Sequence, residues 1–224
     1  MRTVVRLATL VGAFAVCGCF EPPFEVRPDA GLEETDSGVR ADAGLVDAGV
    51  QRKDCSVPDG GSFIGVGQLP EGCTHLKGNL NGLSNDYSTT RVTSLIEIDG
   101  RLRLENGGMT ESLRGFEALR EIKGALDLSG LPITSTSGMR NLRSVGRIFV
   151  FRNFRLEDVE LPELEVIEGE LRIVDNAELR SLAGLRKLRY IGGQFVHGGN
   201  PKLNPTALNE FLQRVVIDGG VVEM

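Results

Sequence analysis

The sequence predicts a mainly β protein, a solenoid of about six short rungs that ends in a capping helix. Three features of the 224-residue chain predict this fold. A glycine recurs every 22–24 residues, apolar residues alternate directly after each glycine, and apolar residues occupy every third position before it. A repeat of this length is typical of solenoid proteins, in which each repeat contacts only its neighbours.

The first segment, residues 1–18, is predicted to be a signal peptide. Arg2 and Arg6 give it a positive start, and an uncharged apolar run follows from Leu7 to Val16. This run is shorter than the roughly 20 residues that span a bilayer, and it suits the core of a signal peptide. The end of the run, VCGC, resembles a bacterial lipobox. That resemblance implies cleavage before Cys19 and lipids on its sulfur and amine, with an ordinary signal peptide as the alternative.

Residues 19–54 are predicted to form a disordered acidic linker. From residue 20 onward the segment is rich in Pro, Asp, Gly and Ala, repeats the triplet DAG three times, and holds nine acidic residues against four basic ones. Such a composition buries too little apolar surface to offset the entropy of ordering. The linker either holds the following domain away from a membrane or is a passive spacer, and the sequence leaves both interpretations open.

The cysteines favour one disulfide. Of the four in the chain, Cys17 leaves with the signal peptide and Cys19 carries lipid, which leaves Cys55 and Cys73. Export places this pair in an oxidising compartment, where a disulfide is expected. The predicted folded domain, residues 55–224, therefore begins at Cys55.

Each predicted repeat has two parts, separated by its glycine. After the glycine, a period of two predicts a short strand with one buried face. Before the glycine, the spacing of three does not suit a single α-helix, because side chains three apart drift around its axis. Either a 3₁₀-like turn or a polygonal coil accommodates it. The repeat glycines are Gly78, Gly100, Gly124, Gly146, Gly169 and Gly193.

Two further patterns predict a row of asparagines within the repeats and a helix at the C-terminal end of the domain. Asn153, Asn176 and Asn200 lie seven residues after their glycines and are predicted to form a partial ladder of side-chain amides. Asn204 is a plausible N-cap before Pro205, which predicts a helix over the last rung.

The repeats, of the form IxGxLxI…N…L…L…GL..L..I, resemble the receptor L domain. This leucine-rich-like module occurs in the insulin and epidermal growth factor receptors, and bacterial surface lipoproteins carry similar repeats. The resemblance covers about residues 73–215 and implies a right-handed, single-stranded β-helix. In the receptors the domain binds protein ligands through one face, whereas kinase signalling does not carry over to this chain.

The outward strand positions contain the candidate binding face. Phe149 and Phe151 are aromatic residues on a face predicted to meet solvent, and aromatic residues rimmed by arginine are typical of protein-contact hot spots. A register shift at the shorter repeat around Gly146, or a covering loop, is the alternative. The full predicted face consists of Phe149, Phe151, Arg147, Arg172, Val174, Val196 and Arg103.

The net charge and the residues available for a site limit the classes of function that the sequence supports. A net charge of −6 gives no reason to expect a nucleic-acid partner. No catalytic residue, metal site, cofactor or small-molecule substrate is predicted, because the two histidines lack partners at suitable spacing. We expect an exported protein, anchored by lipid on Cys19 to the bacterial cell envelope, with the outer membrane favoured and a protein as its partner. The alternatives are a structural envelope lipoprotein without a ligand and, third, a glycan-acting β-helix enzyme.

Overall fold

The computed structural model describes residues 51–57, 63–83, 91–105 and 112–224. The predicted signal peptide, the predicted lipidation site Cys19 and the rest of the predicted linker up to residue 50 lie outside the described residues. The compact unit that contains the described residues runs from Asp47 to Met224. Its described residues are mainly β, with parallel strands and one α-helix. Within the described ranges no helix is both long and apolar enough to cross a membrane.

The strands are short and come in pairs along the chain. They are β1 (Asp54–Ser56), β2 (Phe63–Gly65), β3 (His75–Lys77), β4 (Asn79–Leu83), β5 (Glu97–Ile98), β6 (Leu102–Glu105), β7 (Glu121–Ser129), β8 (Ser144–Phe151), β9 (Val166–Ile167), β10 (Leu171–Val174), β11 (Tyr190–Ile191), β12 (Phe195–Gly198), β13 (Val216–Ile217) and β14 (Val221–Glu223). The helix, α1, comprises Pro205–Arg214.

Two parallel ladders connect these strands from one repeat to the next. The first ladder runs β1-β3-β5-β7-β8-β9-β11-β13. The second runs β2-β4-β6-β7-β8-β10-β12-β14. The long strands β7 and β8 belong to both ladders. The repeats that the sequence predicts are therefore neighbours in space, and each of their glycines lies where the chain passes from one ladder to the other.

The core consists of the residues that the two spacings predict. Alternating residues such as Leu102 and Leu104 are buried, and so are the three-spaced residues Leu182, Leu185 and Leu188. The three-spaced segments form hydrogen bonds between residues three apart, for example from Leu188 N to Leu185 O (3.2 Å). Short 3₁₀ helices lie at Ser137–Met139 and Ala183–Leu185. The 3₁₀-like turn is thus the geometry that points a side chain inward at every third position.

A bulge in β7 absorbs the repeat that is one residue short. The register pairs Ile122 with Val145 and then Ala125 with Arg147, so two residues of β7 face one residue of β8. Beyond the bulge the alternation is unchanged, with Ile148 and Val150 buried. Phe149 therefore keeps its outward position, as extra residues at a bulge shift only the local pairing.

The N-terminal end is held by the predicted disulfide. Cys55 in β1 bonds to Cys73, whose side chain is fully buried. β1 begins at Asp54, one residue before the predicted domain boundary, and Lys53 O accepts hydrogen bonds from the N–H groups of Thr74 (3.0 Å) and His75 (3.2 Å). The last residues of the predicted linker thus belong to the described fold.

Replacing Cys55 and Cys73 together by alanine is expected to lower the free energy of unfolding by about 3 kcal/mol, since the bond closes an 18-residue loop in the unfolded chain. Urea unfolding of the full-length chain, followed by circular dichroism, measures the loss. The reducing agent dithiothreitol should destabilise the wild type and leave the double variant unchanged. A double variant as stable as the wild type would show that the N-terminal pairing needs no crosslink.

The C-terminal end contains the predicted helix and one further strand pair. The side chain of Asn204 accepts a hydrogen bond from Thr206 N (2.8 Å), as predicted for an N-cap. Phe211 of α1 is buried against Phe195, with ring centroids 5.2 Å apart. After the helix, β13 and β14 pair with β11 and β12 in the register of the preceding repeats. This recurrence was not predicted from the sequence because α1 lengthens the interval.

Candidate functional site

The predicted binding face lies on the outward positions of the second ladder. The register places Arg103, Asp127, Phe149, Arg172 and Val196 side by side across five neighbouring strands. A second outward row contains Ser129, Phe151, Val174 and Gly198. The structure therefore brings together the residues that were grouped from the sequence, because parallel pairing without further shifts stacks equivalent positions.

The two phenylalanines at the centre of this face are half-buried. Phe149 and Phe151 lie next to each other on β8, separated by the buried Val150, so both side chains leave the same side of the strand. Val174 and Val196 are buried, at 7% and 2% exposure. These two valines thus contribute little free surface, and the accessible apolar part of the face is the phenylalanine pair.

Arginines surround the pair, and most of them are held by carboxylates. Arg172 contacts Glu170 (2.7 Å) and Arg103 contacts Glu105 (2.6 Å). Arg147 is exposed and has no ion pair among the described residues. The paired arginines therefore form a nearly neutral rim, and Arg147 adds one uncompensated positive charge beside Phe149.

A further part of the site was not predicted from the sequence. Directly after Phe151 the chain turns through Arg152, which has a positive φ of 55°. The Arg152 guanidinium lies 4.5 Å from the centroid of the Phe151 ring and 3.6 Å from the Asp175 carboxylate. Asp175 occupies the same turn of the next repeat and also has a positive φ, 58°. Beyond the turn, Phe154 is 57% exposed.

Non-glycine residues rarely adopt a positive φ, and such conformations are often found at functional sites. The neighbouring repeats use Gly130 and Gly199 at this turn, so the conformation comes from the fold and the residue type varies. At Arg152 the turn directs a cation over Phe151. Glycine at the equivalent position of other repeats was the signal in the sequence that could have identified the turn.

A second polar cluster lies at the start of the first ladder. His75 is buried, with Nε2 3.6 Å from Glu97 and Nδ1 2.7 Å from the hydroxyl of Thr74. Burial, followed by the charge of Arg52, lowers the pKa of His75. His75 and Glu97 are one repeat apart, each three residues before its glycine, and the pairing of β3 with β5 brings them together.

This cluster contains the carboxylate, histidine and hydroxyl groups of a nucleophilic catalytic site, but its hydrogen bonds have a structural role. The Thr74 hydroxyl accepts a hydrogen bond from Lys53 N (2.7 Å) and donates to Lys53 O (3.1 Å). Thr74 is only 2% exposed, so its hydroxyl does not reach a substrate. A nucleophile must be accessible and hydrogen-bonded to its base. The cluster therefore holds β1 against β3.

The remaining histidine also has structural contacts. His197 is buried in β12, and its ring stacks on Phe195 with centroids 5.2 Å apart. Across the described ranges no group of three or more His, Cys, Asp or Glu side chains is arranged to hold a metal ion. The geometry thus leaves the phenylalanine pair and its arginine rim as the candidate site. No family model matches the chain, and neither does any curated protein or solved structure.

Proposed function

We propose that the protein is an exported, lipid-anchored binding protein that presents one face of a solenoid to a protein partner. In this proposal the fold is a right-handed single-stranded β-helix of the receptor L-domain type, with about six full rungs and α1 as its C-terminal cap. The two parallel ladders, the inward three-spaced residues and the packing of Phe211 on Phe195 support it. The lipid on Cys19 and the linker would place the solenoid at the bacterial envelope.

The half-buried pair Phe149 and Phe151 carries the functional proposal. Large aromatic side chains on the outward face of a sheet are unusual unless something covers them, because they leave apolar area in contact with water. Interface hot spots combine such aromatic residues with a surrounding polar rim that excludes water. The ion pairs of Arg103 and Arg172 supply a rim of this kind.

The charges on the face specify the chemistry of the partner. The arginines that already contact Glu105, Glu170 and Asp175 need no further counter-charge. Arg147 is the cation left without an ion pair among the described residues of the face. The matching surface therefore offers an apolar side chain over Phe149 and Phe151 and a carboxylate opposite Arg147.

Phe149→Ala combined with Phe151→Ala is expected to abolish binding of this partner and to leave the fold intact. A photo-crosslinking amino acid at Asp127, which pairs with Phe149 in the register, reports the contact in the native envelope. We expect a specific crosslinked protein with the wild-type face and at least about a tenfold loss of yield in the double variant, since two hot-spot side chains are removed.

Two controls, one substitution and one other crosslinking position, test whether the crosslink is specific to this face. Phe63→Ala removes an exposed aromatic at the N-terminal end of the second ladder and should leave the crosslink unchanged. The crosslinking residue at Arg180, which lies outside the second ladder, should give no product. A product that persists in the Phe149/Phe151 variant would exclude this face as the binding site. Absence of any site-specific product would favour the structural role.

A further inference from the structure

A groove of about 490 Å³ runs along the glycine column between the two ladders. It crosses five neighbouring strands, from β4 to the start of β10, so its length is about 19 Å at ~4.8 Å per strand. It lies beside the phenylalanine pair without including it. The groove is lined by Asn79, Gly100, Arg101, Lys123, Gly124, Ala125, Gly146, Arg147, Glu168 and Gly169.

The floor of the groove offers little main-chain hydrogen bonding. The N–H groups of Gly100, Gly124 and Gly169 each donate to the glycine carbonyl of the preceding repeat, at 2.7–3.1 Å. An extended peptide that binds by strand addition needs free N–H and C=O groups along an edge. The glycine N–H and C=O groups of the groove floor already bond to each other. A ligand in the groove would therefore be recognised by the side chains of its walls.

Two arginines face this floor from either side of a small residue. Ala125 pairs with Arg147, and Arg101 lies next to Ala125 on the other side because Leu102 pairs with Leu126. The two arginine Cα positions are therefore about 10 Å apart, two strand spacings. Both side chains are exposed, and neither forms an ion pair within the described ranges. Elsewhere on this surface arginines such as Arg103 and Arg172 contact carboxylates.

The other polar residues of the walls are suited to different roles. Lys123 contacts Asp99 (2.8 Å) and Glu97, and hydrogen bonds with these carboxylates raise its pKa. Its charge is thus already balanced. At one end of the groove Asn79 Oδ1 accepts a hydrogen bond from Arg101 N (2.8 Å), which holds the backbone beside Arg101. At the other end Glu168 is exposed, and its carboxylate can accept hydrogen bonds from hydroxyl groups. Among the described residues that line the groove there is no aromatic ring, which disfavours a neutral sugar that binds by stacking.

We propose that this groove binds an acidic polysaccharide, with carboxylates of the chain on Arg101 and Arg147 and a hydroxyl group on Glu168. Arginine pairs with carboxylates in charge-assisted, often bidentate hydrogen bonds. A long concave site fits an extended polymer better than a flat lipid surface, which would need several exposed cations free of partners. The groove excludes the phenylalanine pair but shares Arg147 with the proposed protein-binding face, so the polymer and the protein partner would compete for that arginine.

Calorimetric titration of the full-length chain with polygalacturonate at low salt tests the proposal. Binding should be detected and should weaken as salt screens the charges. Arg101→Ala is expected to weaken it by about tenfold, because a charge-assisted hydrogen bond is lost. Ala125→Glu, which places a carboxylate between the two arginines, should weaken it by at least about tenfold. Ala125→Gln, which has the same size without the charge, should have a far smaller effect.

The controls distinguish binding in this groove from binding elsewhere on the surface. Arg180→Ala removes an exposed charge outside the groove and should bind the polymer like the wild type. Fully methyl-esterified polygalacturonate, which lacks the carboxylates, should not bind. Equal binding of both polymers, or equal affinity of the Arg101 and Arg180 variants, would overturn the proposal. So would binding to phosphatidylglycerol vesicles in place of the polymer. If Ala125→Glu fails to fold by circular dichroism, the Arg101 variant decides.

Discussion

Asn176→Leu is expected to lower the free energy of unfolding by about 4 kcal/mol, because buried hydrogen bonds lose their partner at about 1–3 kcal/mol each. The Asn176 side chain is fully buried. Its Oδ1 accepts a hydrogen bond from Asn153 N (3.0 Å), and its Nδ2 donates to Val150 O (3.1 Å). Leucine has a similar size but offers no bond to either group. Urea unfolding of the full-length chain measures the loss.

Asn141→Leu is the matched control for this prediction. Asn141 is exposed and donates one hydrogen bond, to Glu117 O (2.7 Å). Water replaces that partner when the side chain is changed, so we expect a loss of no more than about 1 kcal/mol. Equal losses at the two positions would contradict the view that the buried amides stabilise neighbouring repeats. A change in the slope of the urea dependence would instead indicate an altered unfolded state.

The amide ladder is an example of a contact that could be predicted from the sequence. The interval of seven residues after the glycine places Asn153, Asn176 and Asn200 in one row, and the structure confirms that each side-chain amide oxygen accepts a hydrogen bond from the backbone of the preceding repeat. A repeat makes such predictions possible because equivalent positions stack. Stacking also correctly placed the three-spaced leucines in the core. The count of cysteines, and not the repeat, correctly paired Cys55 with Cys73. The N-cap of α1 was predictable as well, since capping is a local interaction.

Contacts that depend on side-chain size or on neighbouring strands are harder to predict from the sequence. Val174 and Val196 occupy outward positions, as the alternation predicts, yet they are buried. Alternation gives the direction of a side chain, whereas its exposure depends on the larger residues around it. The repeat places His75 beside Glu97, because each lies three residues before its glycine, but it does not predict that their side chains make a contact. The glycines at the positions equivalent to Arg152 indicate a turn, whereas the positive φ of a non-glycine residue there is seen only in the structure.

The groove was missed for a related reason. In the sequence the repeat glycines only separate the two parts of each repeat, and the aromatic residues are the most prominent feature of the outward positions. The structure adds that neighbouring repeats approach so closely at these glycines that no side chain can occupy the column, which opens a channel between the flanking residues. Arg101 and Arg147 gain their significance only from the small residue that separates them.

Gly146→Ala is expected to destabilise the protein by about 4 kcal/mol through this close approach. A β-carbon at Gly146 would lie 2.3 Å from Lys123 O and 2.4 Å from Gly124 O. Both atoms belong to the backbone of β7, so relief requires the two central strands to separate. Overpacking typically costs about 1–3 kcal/mol for each such conflict, and here there are two. The urea midpoint of the full-length chain should fall accordingly.

Gly65→Ala tests whether close approach, and not the loss of glycine itself, causes the effect. Gly65 has a φ of −72°, which alanine adopts readily, and its nearest contact would be Gln68 Oε1 at 3.4 Å. We expect stability within about 0.5 kcal/mol of the wild type, or a small gain from the less flexible unfolded chain. Equal stability of both variants would mean that β7 and β8 can move apart at little cost. The floor of the groove would then be deformable, and the spacing of Arg101 and Arg147 would no longer be fixed by the pairing of strands.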